Sequence, residues 1–202
     1  MTVNKLLVAT RNPGKLAELR ELVSGFQIEI CSLEDLGITS DVAETGATFR
    51  ENAVLKARSY AAMSDLPALA DDSGLEVNAL GGAPGVLSAR YAGADASYAQ
   101  KIGLLLREIA ATGSDDRSAR FVSVLALARP DGSVRFVGEG ICTGTIAESP
   151  RGSGGFGYDP VFVPDGYTLT FAELAPGLKN EIGHRARAAK LFAEYLRDNS
   201  GI

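Results

Sequence analysis

Hydrophobic and polar positions along this chain switch repeatedly between a continuous or alternating pattern and a helical one. The apolar run in "KLLVATR" predicts a buried strand, and "NPGK" then turns the chain into a stretch where Leu16, Leu19, Leu22 and Val23 recur at helical spacing. A short second strand is expected over "FQIEI". A polar turn from Glu44 to Phe49 leads into a helix over "ENAVLKARSYAAM", whose Ala53, Ala57 and Ala61 allow close approach of a neighbour. Pro67 breaks the chain before "ALAD". In a strand successive side chains point to opposite faces, so Asp71 and Asp72 are expected to do different jobs. Gly81, Gly82, Pro84 and Gly85 mark a shaped loop, and Asp95 to Ile109 restores helical spacing. Two long strands follow around an Asp131-Gly132 turn, a hairpin rich in branched residues. After the glycine-rich "SPRGSGGFGYDP" come a short extended "VFV" and a last amphipathic helix from about Arg185 to Leu196, with Ala188, Leu191, Phe192 and Tyr195 on one side. Strands interspersed with helices indicate α/β, and the hairpin makes the sheet mixed rather than purely parallel.

A chain of 202 residues, 46% hydrophobic and 22% charged, buries a sizeable core and fits one domain, 1–202, or two closely joined lobes of it. Cys31 and Cys142 lack a CxxC or Cys/His spacing, which points to two buried reduced thiols and not to a disulfide or a structural zinc. No stretch approaches the about 18 apolar residues of a membrane span, and the polar start lacks a signal-peptide core, so a cytoplasmic location without a membrane partner is expected. The net charge of −5 argues against a large nucleic-acid footprint, and any anionic partner is expected to be small.

Five polar constellations carry candidate chemistry. Thr10, Asn12 and Lys15 sit where a strand hands over to a helix, whose free N–H groups favour phosphate; an ordinary turn with a surface lysine is the alternative. Leu16 after the lysine excludes a Walker A loop. Asn52 and Lys56, four apart, share one side of a helix, so Lys56 either points into a phosphate site or stabilises its helix at the surface. Glu44 with Asp72 would meet the minimum that Mg²⁺ asks of a protein, provided the fold brings them together; otherwise "DDSG" is a capped turn. In "GSGGFGYDP" the glycines let backbone approach a ligand, Phe156 offers a flat face to a purine, and Asp159 an acceptor for a ring N–H; the alternative is a bend whose aromatics pack into core. Lys179, His184 and Arg185 crowd three nitrogen donors into a short loop, a set that would hold a 6-oxo purine and leave donors facing donors against a 6-amino one.

Taken in order, "LLVATRNPGKLAEL", "ETGATFRENAVLKA", "ADDSGLEVNALGGAPGVLSARYAG", "GGFGYDPVF" and "GHRARAAK" resemble the inosine triphosphate pyrophosphatase family, also called XTP/dITP diphosphatases, from residue 6 to about 192. The resemblance implies a mixed, strongly twisted α/β fold with flanking helices, two lobes around a nucleotide cleft and a homodimer. It also implies Mg²⁺-dependent hydrolysis of ITP, dITP and XTP to monophosphate and pyrophosphate. Carried over residue by residue, the phosphate-binding segment matches Thr10, Arg11, Asn12, Pro13, Gly14 and Lys15, and the metal-binding, water-activating aspartate matches Asp72. Ser73 matches a substrate-contacting serine. The base-side segment falls on Phe156, Gly157, Tyr158 and Asp159, and the purine-reading residues on Lys179, His184 and Arg185. Two departures stand out: Ala43 precedes Glu44 where some members have paired acids, leaving Glu44 as the second metal carboxylate, and Gly183 stands where many have serine. A pyrophosphatase for another modified nucleotide, such as a pyrimidine, would share the phosphate and metal residues. A nucleotide sensor would need the glycines and lysines but no placed carboxylate.

Overall fold

β1 (Asn4–Ala9) lies inside the sheet, with a parallel neighbour on each side. In this computed structural model, which describes residues 4–199 apart from the side chains of Asn4 and Leu22, β1 pairs in parallel with β2 (Ile28–Ser32) on one side and β3 (Ala68–Val77) on the other. The expected packing of Leu22 therefore lies outside the described side chains. The six strands follow the order β2-β1-β3-β4-β5-β6, with β4 at Ser118–Ala128, β5 at Val134–Ile146 and β6 at Phe162–Pro164. β6 runs antiparallel to β5, so the sheet is mixed. The β4–β5 hairpin closes through Arg129, whose N–H donates to the Ser133 carbonyl at 2.9 Å.

Five helices flank the strands among the described residues: α1 (Pro13–Val23), α2 (Phe49–Ser64), α3 (Tyr98–Ala111), α4 (Pro176–Ile182) and α5 (His184–Asp198). None is long and apolar enough to cross a membrane. Several boundaries shift from expectation for local reasons. β2 starts at Ile28 because Phe26 closes a turn onto the Val23 carbonyl. α3 starts at Tyr98 because Ser97 caps it in a reciprocal pair with Gln100. The segment expected as a loop around Lys179 is a helix, α4, with Pro176 at its first position, where its missing N–H costs nothing. Only Gly183 separates it from α5.

Two compact units divide the chain. One comprises Met1–Asp72, Ser123–Gly140 and Arg185–Ile202, the other Ser73–Val122 and Ile141–His184. The core of the first gathers Leu6, Val8 and Leu69 of the sheet, Leu19 and Val23 of α1, and Ala188 and Phe192 of α5. α2 lies against β1, with Ala53, Ala57 and Ala61 fully buried. The second core gathers Ile102 and Leu105 of α3 with Phe121, Phe162 and Phe171. Both cysteines are free and buried.

Candidate active site

Register decides where the paired aspartates go. β3 pairs with β1 through Leu7↔Ala68, Val8↔Leu69 and Ala9↔Ala70, so Asp71 and Asp72 fall just past the carboxyl end of β1. There the chain turns into α1, and β2 and β3 diverge to opposite sides, the arrangement that leaves a crevice in open α/β sheets. Alternation sends Asp71 to the face of Leu69, which α1 and α5 cover, and Asp72 to the opposite face.

On the first face Asp71, fully buried, accepts from Lys15 Nζ of α1 at 2.7 Å and from Ser123 Oγ of β4 at 2.5 Å, with Arg185 Nη2 of α5 at 3.5 Å. Burial pushes its pKa up, but Lys15 and Arg185, with the hydrogen bonds from Lys15 and Ser123, hold the carboxyl well below the usual range. Burial lowers the pKa of Lys15, Asp71 opposes, and Arg185 and Lys56 add to the lowering. Arg185 also pairs with Glu18, one helical turn beyond Lys15 on α1. The helix start is itself capped: Asn12 Oδ1 accepts from Gly14 N at 2.9 Å and Lys15 N at 3.2 Å, and Thr10 Oγ1 accepts from Asn12 N.

On the second face Lys56 Nζ of α2 donates to Asp72 Oδ1 at 2.7 Å and to Glu44 Oε1 at 2.8 Å, so one ammonium joins the two carboxylates. The other Asp72 oxygen, Oδ2, is buried without a hydrogen-bond partner. Burial raises the Asp72 pKa to about 6; Lys56 pulls it down and Glu44 pushes it up. Burial opposes the charge on Lys56, yet Asp72 and Glu44 together raise its pKa. Asn52, wholly buried, accepts from Gly46 N at 2.8 Å and so fixes the turn after Glu44; its Nδ2 is buried without a partner. A Cβ on Gly46 would lie 2.8 Å from that Asn52 oxygen, which excludes larger residues.

These oxygens suit a hard divalent cation. Two carboxylates meet at one ammonium, and Asp72 Oδ2 keeps its lone pairs open. No cluster of three or more His, Cys, Asp or Glu side chains capable of holding a metal occurs among the described residues, so further ligands would come from substrate phosphate and water.

The second unit carries its own polar cluster. Gly155 and Gly157 adopt positive φ, +68° and +70°, and a Cβ on Gly155 would collide with the Asp159 carboxylate. Asp159 Oδ2 accepts from Phe156 N at 2.8 Å and from Lys179 Nζ at 2.6 Å, so its carboxylate shapes the loop and holds the lysine. The Lys179 ammonium stands 4.5 Å from the centre of the Phe156 ring. Tyr158 is core: its hydroxyl donates to the Ser88 carbonyl at 3.0 Å, and its ring meets Tyr98 edge-on at 5.6 Å. His184 is buried and stacked on Phe121, centroids 4.7 Å apart. Ser73 follows Asp72 along β3.

The fold thus gathers Lys15, Asp71 and Arg185 in one group, Glu44, Lys56 and Asp72 in another, and Phe156, Asp159 and Lys179 in a third. Arg185 pairs with Asp71 and Glu18. Sequence reasoning missed Glu18 and Ser123. A polar residue inside the apolar "FVSVLALA" was the available signal for Ser123, and the three-residue spacing from Lys15 for Glu18.

A model of the Ham1 family matches residues 6–195. The chain is 51% identical over 199 residues to a dITP/XTP pyrophosphatase of Geobacillus kaustophilus, covering 98% of this chain and 97% of that one. Among solved structures it resembles a HAM1 protein from Coxiella burnetii, with TM-score 0.90 and 42% identity over 96% of this chain and 99% of that one. A nucleoside-triphosphatase / dITP/XTP pyrophosphatase from Mycobacterium abscessus superposes with TM-score 0.75 and 45% identity, covering 94% and 98%. With a family model matched almost end to end and a relative half identical across its length, the chain belongs to the Ham1 family and is a nucleoside triphosphate pyrophosphatase.

Proposed function

We propose that the chain hydrolyses non-standard purine nucleoside triphosphates, ITP, dITP and XTP, to the monophosphate and pyrophosphate with Mg²⁺, and so clears them from the nucleotide pool. The observation that carries this reading is Lys56 joining Glu44 to Asp72 while the second Asp72 oxygen is buried with open lone pairs. The relatives named as dITP/XTP pyrophosphatases support the substrate class. The same reading makes it a cytoplasmic homodimer acting on free nucleotides, in keeping with a net charge of −5.

The backbone N–H groups of Asn12 to Lys15, the ammonium groups of Lys15 and Lys56, and the Ser73 hydroxyl bind the triphosphate oxygens. Glu44 and Asp72 would hold Mg²⁺, which when bound would neutralise the charge that develops on the phosphoryl oxygens. Asp72 Oδ2 takes a proton from water as the water oxygen bonds to the α-phosphorus. The bond from that phosphorus to the α–β bridging oxygen breaks, and pyrophosphate leaves with the electron pair. In the second unit Phe156 stacks on the purine, and Lys179 and His184 donate to its 6-oxo edge. Arg185, held on Asp71 and Glu18, stays in the base-reading set on the family resemblance.

The test is a panel of ITP, dITP, XTP, GTP, ATP and dUTP with Mg²⁺, resolving both products. Expected are monophosphate and pyrophosphate, with kcat/KM for the first three at least about 10²-fold above ATP, the scale at which unpaired buried donors reject a ligand. A preference for dUTP would replace the purine reading, and nucleotide binding without products would make the chain a sensor.

A further inference from the structure

We infer that Arg11 is a positioning residue, which straps the loop carrying Glu44 to the phosphate-binding segment and acts on the reaction through Glu44. The role rests on the reading of Glu44 as a cation ligand.

Residues 33–48, between β2 and α2, contain neither helix nor strand, so their backbone cannot be placed by a ladder of hydrogen bonds. Side chains place it instead. From α2, Tyr60 donates to Asp41 at 3.2 Å, Lys56 pairs with Glu44, Asn52 accepts from Gly46 N, and Glu51 accepts from Ala47 N at 2.7 Å. From the other side Arg20 of α1 reaches Asp35 at 3.4 Å, and Arg11 ties the part of the stretch nearer Glu44. Its Nη2 donates to the Ser40 carbonyl at 2.7 Å and the Ile38 carbonyl at 3.2 Å, and its Nε lies 3.9 Å from Asp41. Arg11 lies between Thr10 and Asn12, so the strap runs from the segment assigned to phosphate to the segment that delivers Glu44. The two segments line one groove, to which Thr10, Arg11, Asn12, Ile38 and Thr39 contribute.

A guanidinium is a rigid fork of donors, and here the fork is aimed at two loop carbonyls and a loop carboxylate. Asp41 is the shared point: Arg11 approaches it from β1–α1 and Tyr60 from α2, three residues before Glu44. Loosening that point frees the Glu44 side chain to leave Lys56 and the cation position.

The experiment uses the full chain with R11A, E44Q and the double variant, hydrogen exchange read by mass spectrometry, and Mg²⁺ titration of XTP turnover. R11A is expected to speed exchange across 33–46 by roughly 10-fold, as local opening becomes easier. It is expected to raise the Mg²⁺ concentration for half-activity by roughly 5-fold, and the double variant to match E44Q alone, since residues acting through one group are not additive. Unchanged exchange across 33–46 would overturn the strap. Effects of R11A and E44Q that multiply would show that Arg11 acts independently, by contacting phosphate. If E44Q leaves the Mg²⁺ dependence unchanged while R11A still speeds exchange, Glu44 is not the cation ligand and the strap stands without it.

Discussion

Asp72→Asn is expected to lower kcat on XTP by roughly 10²–10⁴-fold, the range for losing a positioned general base, while leaving the fold intact. The amide keeps the shape and an oxygen for Lys56, which also retains Glu44 at 2.8 Å, but it cannot take a proton from water. The wild-type carboxyl titrates at about 6, raised first by burial. A protonated carboxyl cannot take a proton from water, so on the proposed role kcat/KM should fall on the acid side. Stability moves the other way. A carboxyl whose folded pKa lies above its unfolded value contributes stability that is full below about pH 4 and lost as pH rises through about 6. At pH 7 burial of the charged Asp72 is a local cost that its pairing with Lys56 offsets, so D72N should melt close to the wild-type temperature. Near-wild-type turnover by D72N would remove Asp72 as the base, and a steep fall in melting temperature would show that its charge supports the fold.

The neighbouring substitution should behave in the opposite sense. Asp71→Asn removes the carboxylate that Lys15, Ser123 and Arg185 share in a fully buried position. Breaking a buried ion pair by deleting one partner costs roughly 3–5 kcal/mol. Arg185 keeps Glu18 and Lys15 is partly exposed, which places D71N near 3 kcal/mol, or roughly 6–12 °C in melting temperature for a chain of this size. The sign with pH follows from the depressed folded pKa: the stabilisation is present above the ordinary carboxylate range and is lost as pH falls through the lower folded value. Wild type and D71N should converge in stability in strong acid and diverge at neutral pH. Thermal melts of D72N at about pH 4 and pH 7, and of D71N at about pH 2 and pH 7, each beside wild type, check the asymmetry. Equal melting temperatures for D71N and wild type at pH 7 would show that the network contributes little.

The contrast between these adjacent residues was legible in the sequence, because strand alternation alone separates them and the apolar run before them marks the strand. So was the β1–α1 handover, where Asn12 and Pro13 are good chemistry for a cap and a first helical position. The place of Glu44 was not. It sits in a stretch without periodicity, fixed by Arg11, Tyr60, Lys56 and Asn52, and side-chain ties across such separations leave no local pattern. Arg185 was hidden for a related reason. Its neighbours in sequence, Lys179 and His184, suggested one cluster of donors, whereas its partners Asp71 and Glu18 lie more than a hundred residues earlier. The helix over Lys179 was masked by Pro176 and Gly177, which read as loop formers and act here as a helix start.

The central claim is water attack at the α-phosphorus, and oxygen isotope placement tests it most directly. Hydrolysis of XTP in water enriched in ¹⁸O, with Mg²⁺ and with products separated by mass spectrometry, should place one labelled oxygen in the monophosphate and none in pyrophosphate. Label in pyrophosphate would mean attack at the β-phosphorus, and labelled orthophosphate beside a diphosphate would mean attack at the γ-phosphorus; either contradicts the role assigned to Asp72.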